Sequence, residues 1–396
     1  MSMIASIQEK AKSLSQKLIT IRRHIHQHPE LSFQEFETVA YVKTMLLEMG
    51  ITQIKSIANT GLEVIIEGKN PAKKTIALRA DMDALPIIEA NDVPYKSIHT
   101  GVMHACGHDV HTTCLLGAAQ LLNEHKDHFE GTIKLLFQPG EEKLPGGASL
   151  MIKEGALENV NSILGQHVMP LLPVGKIGFR SGLYMASTDE LYLTIKGKGG
   201  HGAMPHLCID PIAIMAQMLT GLQQLVSRNA NPIIPSVLTF GKVIANGATN
   251  VIPNEVYLEG TFRTLDEAWR AKAHELILTT AKSIVEGMGG TVDFEIRKGY
   301  PFLKNDPAVT ARTKAAATAY VGADNIVDLD IWMAAEDFAY YSQISPACFY
   351  RLGTRNEAKG ITSGVHTPSF DIDEEALALG AGLMAYLAVE ELQSNF

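Results

Sequence analysis

Three strand-like runs in the first half of this chain each lead into residues that can bind a metal ion. That repetition constrains the fold more than any single motif. Lys74-Thr75-Ile76-Ala77-Leu78-Arg79 leads into Ala80-Asp81-Met82-Asp83-Ala84-Leu85-Pro86. Thr132-Ile133-Lys134-Leu135-Leu136-Phe137 leads into Gln138-Pro139-Gly140-Glu141-Glu142, and Ser162-Ile163-Leu164-Gly165-Gln166 ends in His167-Val168. Short apolar runs bounded by Gly, Pro and polar turns read as buried strands. Groups just past the C-terminal ends of such strands are where α/β proteins assemble their sites. Each segment alone has a plainer reading, as capping aspartates or a solvated Glu-Glu pair. A metal hydrolase, though, needs one carboxylate to ligate and another to accept a proton from water, and adjacent residues at an irregular turn point differently.

Between the first two runs lies Met103-His104-Ala105-Cys106-Gly107-His108-Asp109-Val110-His111-Thr112, followed by the apolar Cys114-Leu115-Leu116-Gly117-Ala118-Ala119-Gln120-Leu121-Leu122. The apolar part has the period of a helix packed on a core, predicted over about 113–125. The polar cluster then sits on the loop and first turn of that helix, a rigid place with free backbone amides. With Gly107 between them, Cys106 and His108 can reach one metal ion. A lone Cys-x-His is a weaker signal than paired Cys-x-x-Cys, so further ligands must come from elsewhere.

The chain's 396 residues suffice for two domains, and 46% hydrophobic with 19% charged residues is ordinary for a globular protein. A formal charge of −9, a pI near 5.9 and the lack of any Lys/Arg run argue against a nucleic-acid partner. The amino terminus lacks the basic start and apolar core of a signal peptide, and no apolar run reaches membrane-span length. Cys106, Cys114, Cys208 and Cys348 are scattered, unlike a disulfide scaffold. A cytoplasmic enzyme with no membrane partner is the expectation.

Residues 7–49 read as two amphipathic helices broken at His28-Pro29-Glu30. His24 and His28 share a helix face and His26 points elsewhere, but no local carboxylate or Cys completes a metal site. From about Thr188 to Tyr300 the pattern is strand, helix, strand, strand, helix, strand, with strands at 191–196, 236–242, 255–263 and 292–298 and helices at 210–228 and 266–288. That is an α+β unit, a four-stranded sheet with two helices on one face. Its loop Gly197-Lys198-Gly199-Gly200-His201-Gly202-Ala203-Met204-Pro205-His206 either admits a ligand close to backbone or is simply flexible. Asn250, in Thr249-Asn250-Val251-Ile252-Pro253, and Arg263 are suited to gripping a carboxylate. A strand at 348–353 and a helix from about Asp373 close the chain.

These landmarks, in this order, resemble the co-catalytic metallo-aminoacylase and carboxypeptidase family. The nearest branch is that of hippurate hydrolase and the plant indole-acetyl-amino-acid hydrolases. The matching segments are residues 80–86, 103–112, 138–142, 200–206, 249–253 and 335–338, with His366 completing the set. The resemblance implies an α/β fold: a zinc-exopeptidase-like three-layer α/β/α catalytic domain from residues 1–187 and 301–396, and an inserted ferredoxin-like lid and dimerisation domain at 188–300. Carried over, the metal ligands are Cys106, His108, Glu142, His167 and His366, with Cys106 bridging two ions. Glu141 is then the general base, Asp83 a supporting carboxylate, and His201 a lid histidine. Asn250, Arg263 and His206 are substrate contacts. One or two divalent ions per subunit are implied, of zinc, manganese, nickel or cobalt, and a homodimer formed through the lid. Many relatives place a ligating His where this chain has Asp81, which leaves the metal's identity open. The implied reaction is hydrolysis of N-acyl amino acids, with a dipeptidase or carboxypeptidase as runner-up. A non-catalytic protein with one structural zinc is disfavoured, because structural ligands usually come as a local Cys/His set.

Overall fold

Strands apolar on both faces need cover on both sides, which is the condition of a parallel sheet inside an α/β protein. In the computed structural model, which describes residues 2–394, the strands Thr132–Gln138, Thr75–Asp81, Ser162–Pro173 and Ala347–Arg355 lie side by side and parallel in that order. Gly61–Glu67 and Ile54–Ile57 extend this sheet antiparallel on one side, and Ile177–Phe179 with Ile326–Asp328 extend it on the other, giving eight strands. Because the four central strands run one way, their C-terminal ends share an edge. Asp81 stands opposite Gln138 there, and His167 pairs with Arg351 short of the ends of their longer strands.

The helix His108–Glu124 starts earlier than its apolar period suggests, so His108 and His111 are helical residues. It is buried almost all round, as expected for a helix enclosed by other elements. It packs against the sheet and against the equally apolar Glu375–Gln393.

The chain divides into two compact units. The first comprises the chain up to Tyr184, Lys304–Ile331 and the chain from Asp337 onward. The second comprises Met185–Leu303 and Trp332–Glu336. Its sheet has the order Ser236–Ile244, Glu255–Thr264, Asp189–Lys196, Thr291–Lys298, antiparallel throughout. Leu191, Leu193 and Ile195 turn one face of this sheet onto Ile214, Met218 and Leu222 of helix Pro211–Gln224 and Ala273, Ile277 and Ala281 of helix Glu267–Gly287. Asp210 and Asp266 cap those helices through their side chains.

Three local expectations need correction. The amino-terminal segment forms three helices, Met3–Ser13, Ser15–Gln27 and Phe36–Glu48, not two. The extra break falls at Leu14, flanked by Ser13 and Ser15, whose hydroxyls donate to the carbonyls of Lys10 and Lys12 and compete with the helical ladder. Asp81 belongs to its strand rather than lying past it. His167 lies inside a longer strand, because Ser162–Pro173 keeps pairing with Ala347–Arg355 as far as Arg355 and Pro173.

Candidate metal centre

The site is built at the shared strand edge of the first unit. Gly107 is the residue before the first helical one, in the left-handed region (φ +88), and a Cβ on it would meet Val168 Cγ2 at 2.6 Å. That turn brings Cys106 and His108 to bear on the same space. His108 Nδ1 lies 3.1 Å from Asp83 Oδ1, a contact in which the imidazole donates, while its Nε2 is buried with no hydrogen-bond partner. His167 donates from Nδ1 to the carbonyl of Val168 (2.7 Å), leaving Nε2 turned toward Cys106 Sγ at 3.5 Å. His366 arrives from the other end of the chain in a left-handed backbone conformation (φ +60), with its amide donating to Ala105 O at 2.7 Å. Its Nε2 lies 3.3 Å from Cys106 Sγ and 3.0 Å from Glu142 Oε1, the latter without hydrogen-bond geometry, so that Glu142 Oε1 is also buried and unpartnered.

These donors form overlapping groups. Cys106, His108 and His167 offer ligand atoms within 4.8 Å of one another, and so do Cys106, Glu142 and His366. Cys106 belongs to both groups, and together they contain every ligand expected from the sequence. Histidines that donate one ring nitrogen to a carboxylate or carbonyl and aim the other inward have the arrangement typical of metal-bound imidazole. Unpartnered buried nitrogen and oxygen beside a thiol suit a divalent transition ion rather than magnesium. The donor set fits the ion that the sequence implies.

Electrostatics agree. Burial would push His108 down, but Asp81, the hydrogen bond and charge of Asp83, and Glu142 outweigh it and raise its pKa to about 10. Burial pushes His167 well below the ordinary imidazole range, with the Arg351 charge adding to the effect. Burial raises Asp83, yet the hydrogen bond and charge of His108, the Ser32 hydroxyl (2.6 Å) and the Glu142 amide (2.9 Å) more than offset it. The carboxylates create a field that calls for positive charge at this point.

A third group, Asp81, His108 and His111, is close enough to hold an ion but is already engaged. Asp81 takes Arg79 Nη1 at 2.6 Å on one oxygen and His111 Nδ1 at 2.5 Å on the other. His111 Nε2 accepts the Val168 amide at 2.9 Å. Both His111 nitrogens therefore have partners, and the Asp81 side chain is a structural member of the site.

Glu141 is buried beside the centre. Its Oε2 is 3.9 Å from His108 Nε2, and its Oε1 accepts the Asp337 amide at 3.3 Å. Asp337 ties this wall together, accepting from Arg79 Nη2 (2.7 Å), Gln138 Nε2 (2.8 Å) and the Ala148 amide (2.9 Å). The sequence showed Asp337 only within a matching segment, with no local sign of these partners. Glu35, Ser32 and Thr60, which also buttress the strand ends, were not singled out at all.

His201, His206, Asn250 and Arg263 belong to the second unit. There His201 pairs with Val251 across a short two-stranded ribbon, and the Gly202 amide donates to Asn250 O at 2.8 Å, which brings His201 and Asn250 together. His201 Nδ1 accepts the Ala203 amide at 3.1 Å, so its exposed ring carries the proton on Nε2 as a donor. His206 lies on the exposed turn Pro205–Leu207, and half-buried Arg263 donates to Met333 O at 3.4 Å.

The fold and the donor set define a metal-dependent hydrolase of the α/β class. The chain belongs to Peptidase family M20/M25/M40, whose model matches residues 77–390. It is 40% identical over 383 residues to an N-acetyl-L-cysteine deacetylase of Bacillus subtilis, covering 97% of this chain and 90% of that one. It is 41% identical over 383 residues to IAA-amino acid hydrolase ILR1-like 5 of Arabidopsis thaliana, covering 95% and 86%. A solved dinuclear metal-binding peptidase of family M20 from Bacillus subtilis superposes with a TM-score of 0.83 at 37% identity, covering 97% of this chain and 100% of the other. The protein is a metal-dependent hydrolase of amide bonds.

Proposed function

We propose that the enzyme hydrolyses N-acyl-L-amino acids, with acetyl, benzoyl or similar acyl groups, to a carboxylic acid and a free amino acid. The observation that carries this reading is the pair of donor triads sharing Cys106, with Glu141 close enough to His108 and Glu142 to face the same space. Cys106, His108, Glu142, His167 and His366 would hold one or two divalent ions, of zinc, manganese, nickel or cobalt. Such an ion supplies Lewis acidity and brings the pKa of bound water toward about 7. Glu141 accepts the proton of the attacking water and hands it to the leaving amine. Asp83 holds His108 in the tautomer that leaves Nε2 free. His201, with its proton on Nε2, donates to the developing oxyanion, and Asn250, Arg263 and His206 contact the substrate, Arg263 by its charge to the carboxylate. A homodimer formed through the second unit is part of the same reading. So is a reducing cytoplasm, in which a thiol ligand persists; none of the four cysteines is in a disulfide among the described residues.

The test is Glu141→Gln assayed on a panel of N-acyl amino acids and dipeptides, after chelator treatment and reconstitution with zinc or manganese. Turnover should fall by roughly 10²–10⁴-fold with metal content unchanged; near-normal rates would remove Glu141 as base. A dipeptidase or carboxypeptidase is the second reading, favoured by the peptidase description of the superposable Bacillus subtilis structure. Faster cleavage of dipeptides than of acyl amino acids would promote it.

A further inference from the structure

Glu35 occupies the N-cap position of the helix Phe36–Glu48 but makes no capping hydrogen bond with its side chain. Glu30 does that work, accepting from the amides of Glu37 (3.2 Å) and Thr38 (2.8 Å) and from the Thr38 hydroxyl (2.8 Å). The Glu35 carboxylate, fully buried, is thereby free to turn away from its own helix. Its Oε1 accepts the amide of Gly140 at 2.8 Å and that of Phe33 at 2.9 Å, and its Oε2 accepts the hydroxyl of buried Thr60 at 2.6 Å.

The same short segment meets the site at two more points. Ser32 donates to Asp83 Oδ2 at 2.6 Å, and the Ala84 amide donates to Glu30 O at 2.8 Å. Phe33, itself left-handed (φ +65), lays its ring against Gly140 (φ +57), where a Cβ would meet that ring at 2.3 Å. A bulky residue held left-handed, as Phe33 is, stores backbone strain of a kind that collects at functional sites, and only glycine can follow the path of residue 140 against its ring. Gly140 is the residue immediately before Glu141 and Glu142.

We propose that Glu35 is a positioning residue for the reaction: by holding the Gly140 amide it sets the turn that aims Glu141 at the attacking water and Glu142 at the metal. This rests on the reading of Glu141 as base. The Glu35 carboxylate's hydrogen bonds go to Gly140, Phe33 and Thr60 rather than to a metal-ligand side chain; it acts through the backbone of the turn. Reacting groups displaced by about 1 Å can lose on the order of 10² in rate, and the loss of one buried acceptor leaves two backbone amides to find new partners.

The test compares Glu35→Ala, Glu35→Gln and Thr60→Val with the parent enzyme, each reconstituted with zinc. Glu35→Ala should lower kcat by ~10²-fold with KM little changed, and amide hydrogen exchange should quicken at Gly140 and its neighbours in both the stripped and the loaded protein. Glu35→Gln can turn its carbonyl to the two amides and its NH2 to the Thr60 hydroxyl, so it should restore most of kcat and the exchange protection. Thr60→Val, which leaves the carboxylate in place, should give a smaller fall in the same direction and serves if Glu35→Ala does not fold. Parent-like kcat and exchange in Glu35→Ala, or in Thr60→Val where that variant stands in for it, would overturn the proposal. So would equal loss in Ala and Gln. Glu141→Gln run alongside separates the two readings: full activity there removes the base, whereas loss there with full activity in Glu35→Ala removes only the positioning role.

Discussion

Two aspartate–histidine pairs stand side by side in the first unit, made of the same residue types on the same strand end and the same helix. Asp81 meets His111 at 2.5 Å, and Asp83 meets His108 at 3.1 Å. The first pair is closed: Arg79 takes the other Asp81 oxygen and the Val168 amide takes the other His111 nitrogen. The second is open: His108 Nε2 is buried with no hydrogen-bond partner, 3.6 Å from Asp81 Oδ2 and facing Cys106, His167 and the two glutamates. A metal ligand is defined here less by residue type than by which lone pair the surrounding chain has left unengaged.

The comparison can be broken most sharply at the two histidines. His108→Ala should abolish metal retention after dialysis and with it turnover, while the fold persists by circular dichroism. Retention of full metal stoichiometry would put His108 outside the centre. Asp83→Asn should keep the ion but weaken its binding by about 10–100-fold, read by competition with a chromophoric chelator. His111→Ala should do the opposite of His108→Ala, keeping the metal while costing roughly 1–3 kcal/mol of stability, because the Val168 amide and an Asp81 oxygen lose buried partners. Metal loss in that variant would erase the distinction between the pairs.

Protons offer a finer probe. Stripped of metal, the protein should hold a proton on His108, whose pKa stands at about 10 against an ordinary 6.5. A raised folded-state pKa means that this pair's contribution to stability is complete below about 6.5 and declines as pH rises through about 10. Zinc binding at pH 8 should therefore release His108's proton beyond any from the thiol, visible as a buffer-dependent binding enthalpy that shrinks in Asp83→Asn, which keeps the ion but removes one of the charges that raise His108. The smallest effect belongs to Thr112→Val, which removes a hydroxyl donating to Asp81 O at 2.7 Å. It should cost about 1 kcal/mol by denaturant titration and leave metal affinity untouched.

Much of this architecture was legible in the sequence because its signals are local. The helices and strands of the second unit fall within a few residues of where period-2 and period-3.6 patterns put them, since each buries one face against the other. The apolar strands and the buried helix of the first unit were equally plain. What escaped depends on side-chain partnerships and strand pairings that no local periodicity encodes. Nothing near Asp81 or Asp83 says that Arg79 and His111 will close one pair and leave the other open. Nothing near Glu35 says that Glu30 will take over its capping work and release it toward Gly140. The end of Ser162–Pro173 was misplaced for the same reason, since its extra length is held by a strand that comes much later.

The strand Ala347–Arg355 lies inside the sheet, and His366 follows Cys106 by 260 residues. A ribosome making this chain therefore emits one donor triad, through His167, well before the second can exist. Chain closure over such distances is slow, so a nascent or truncated protein would present a half-formed ion trap, and only a chain translated through His366 can finish the enzyme.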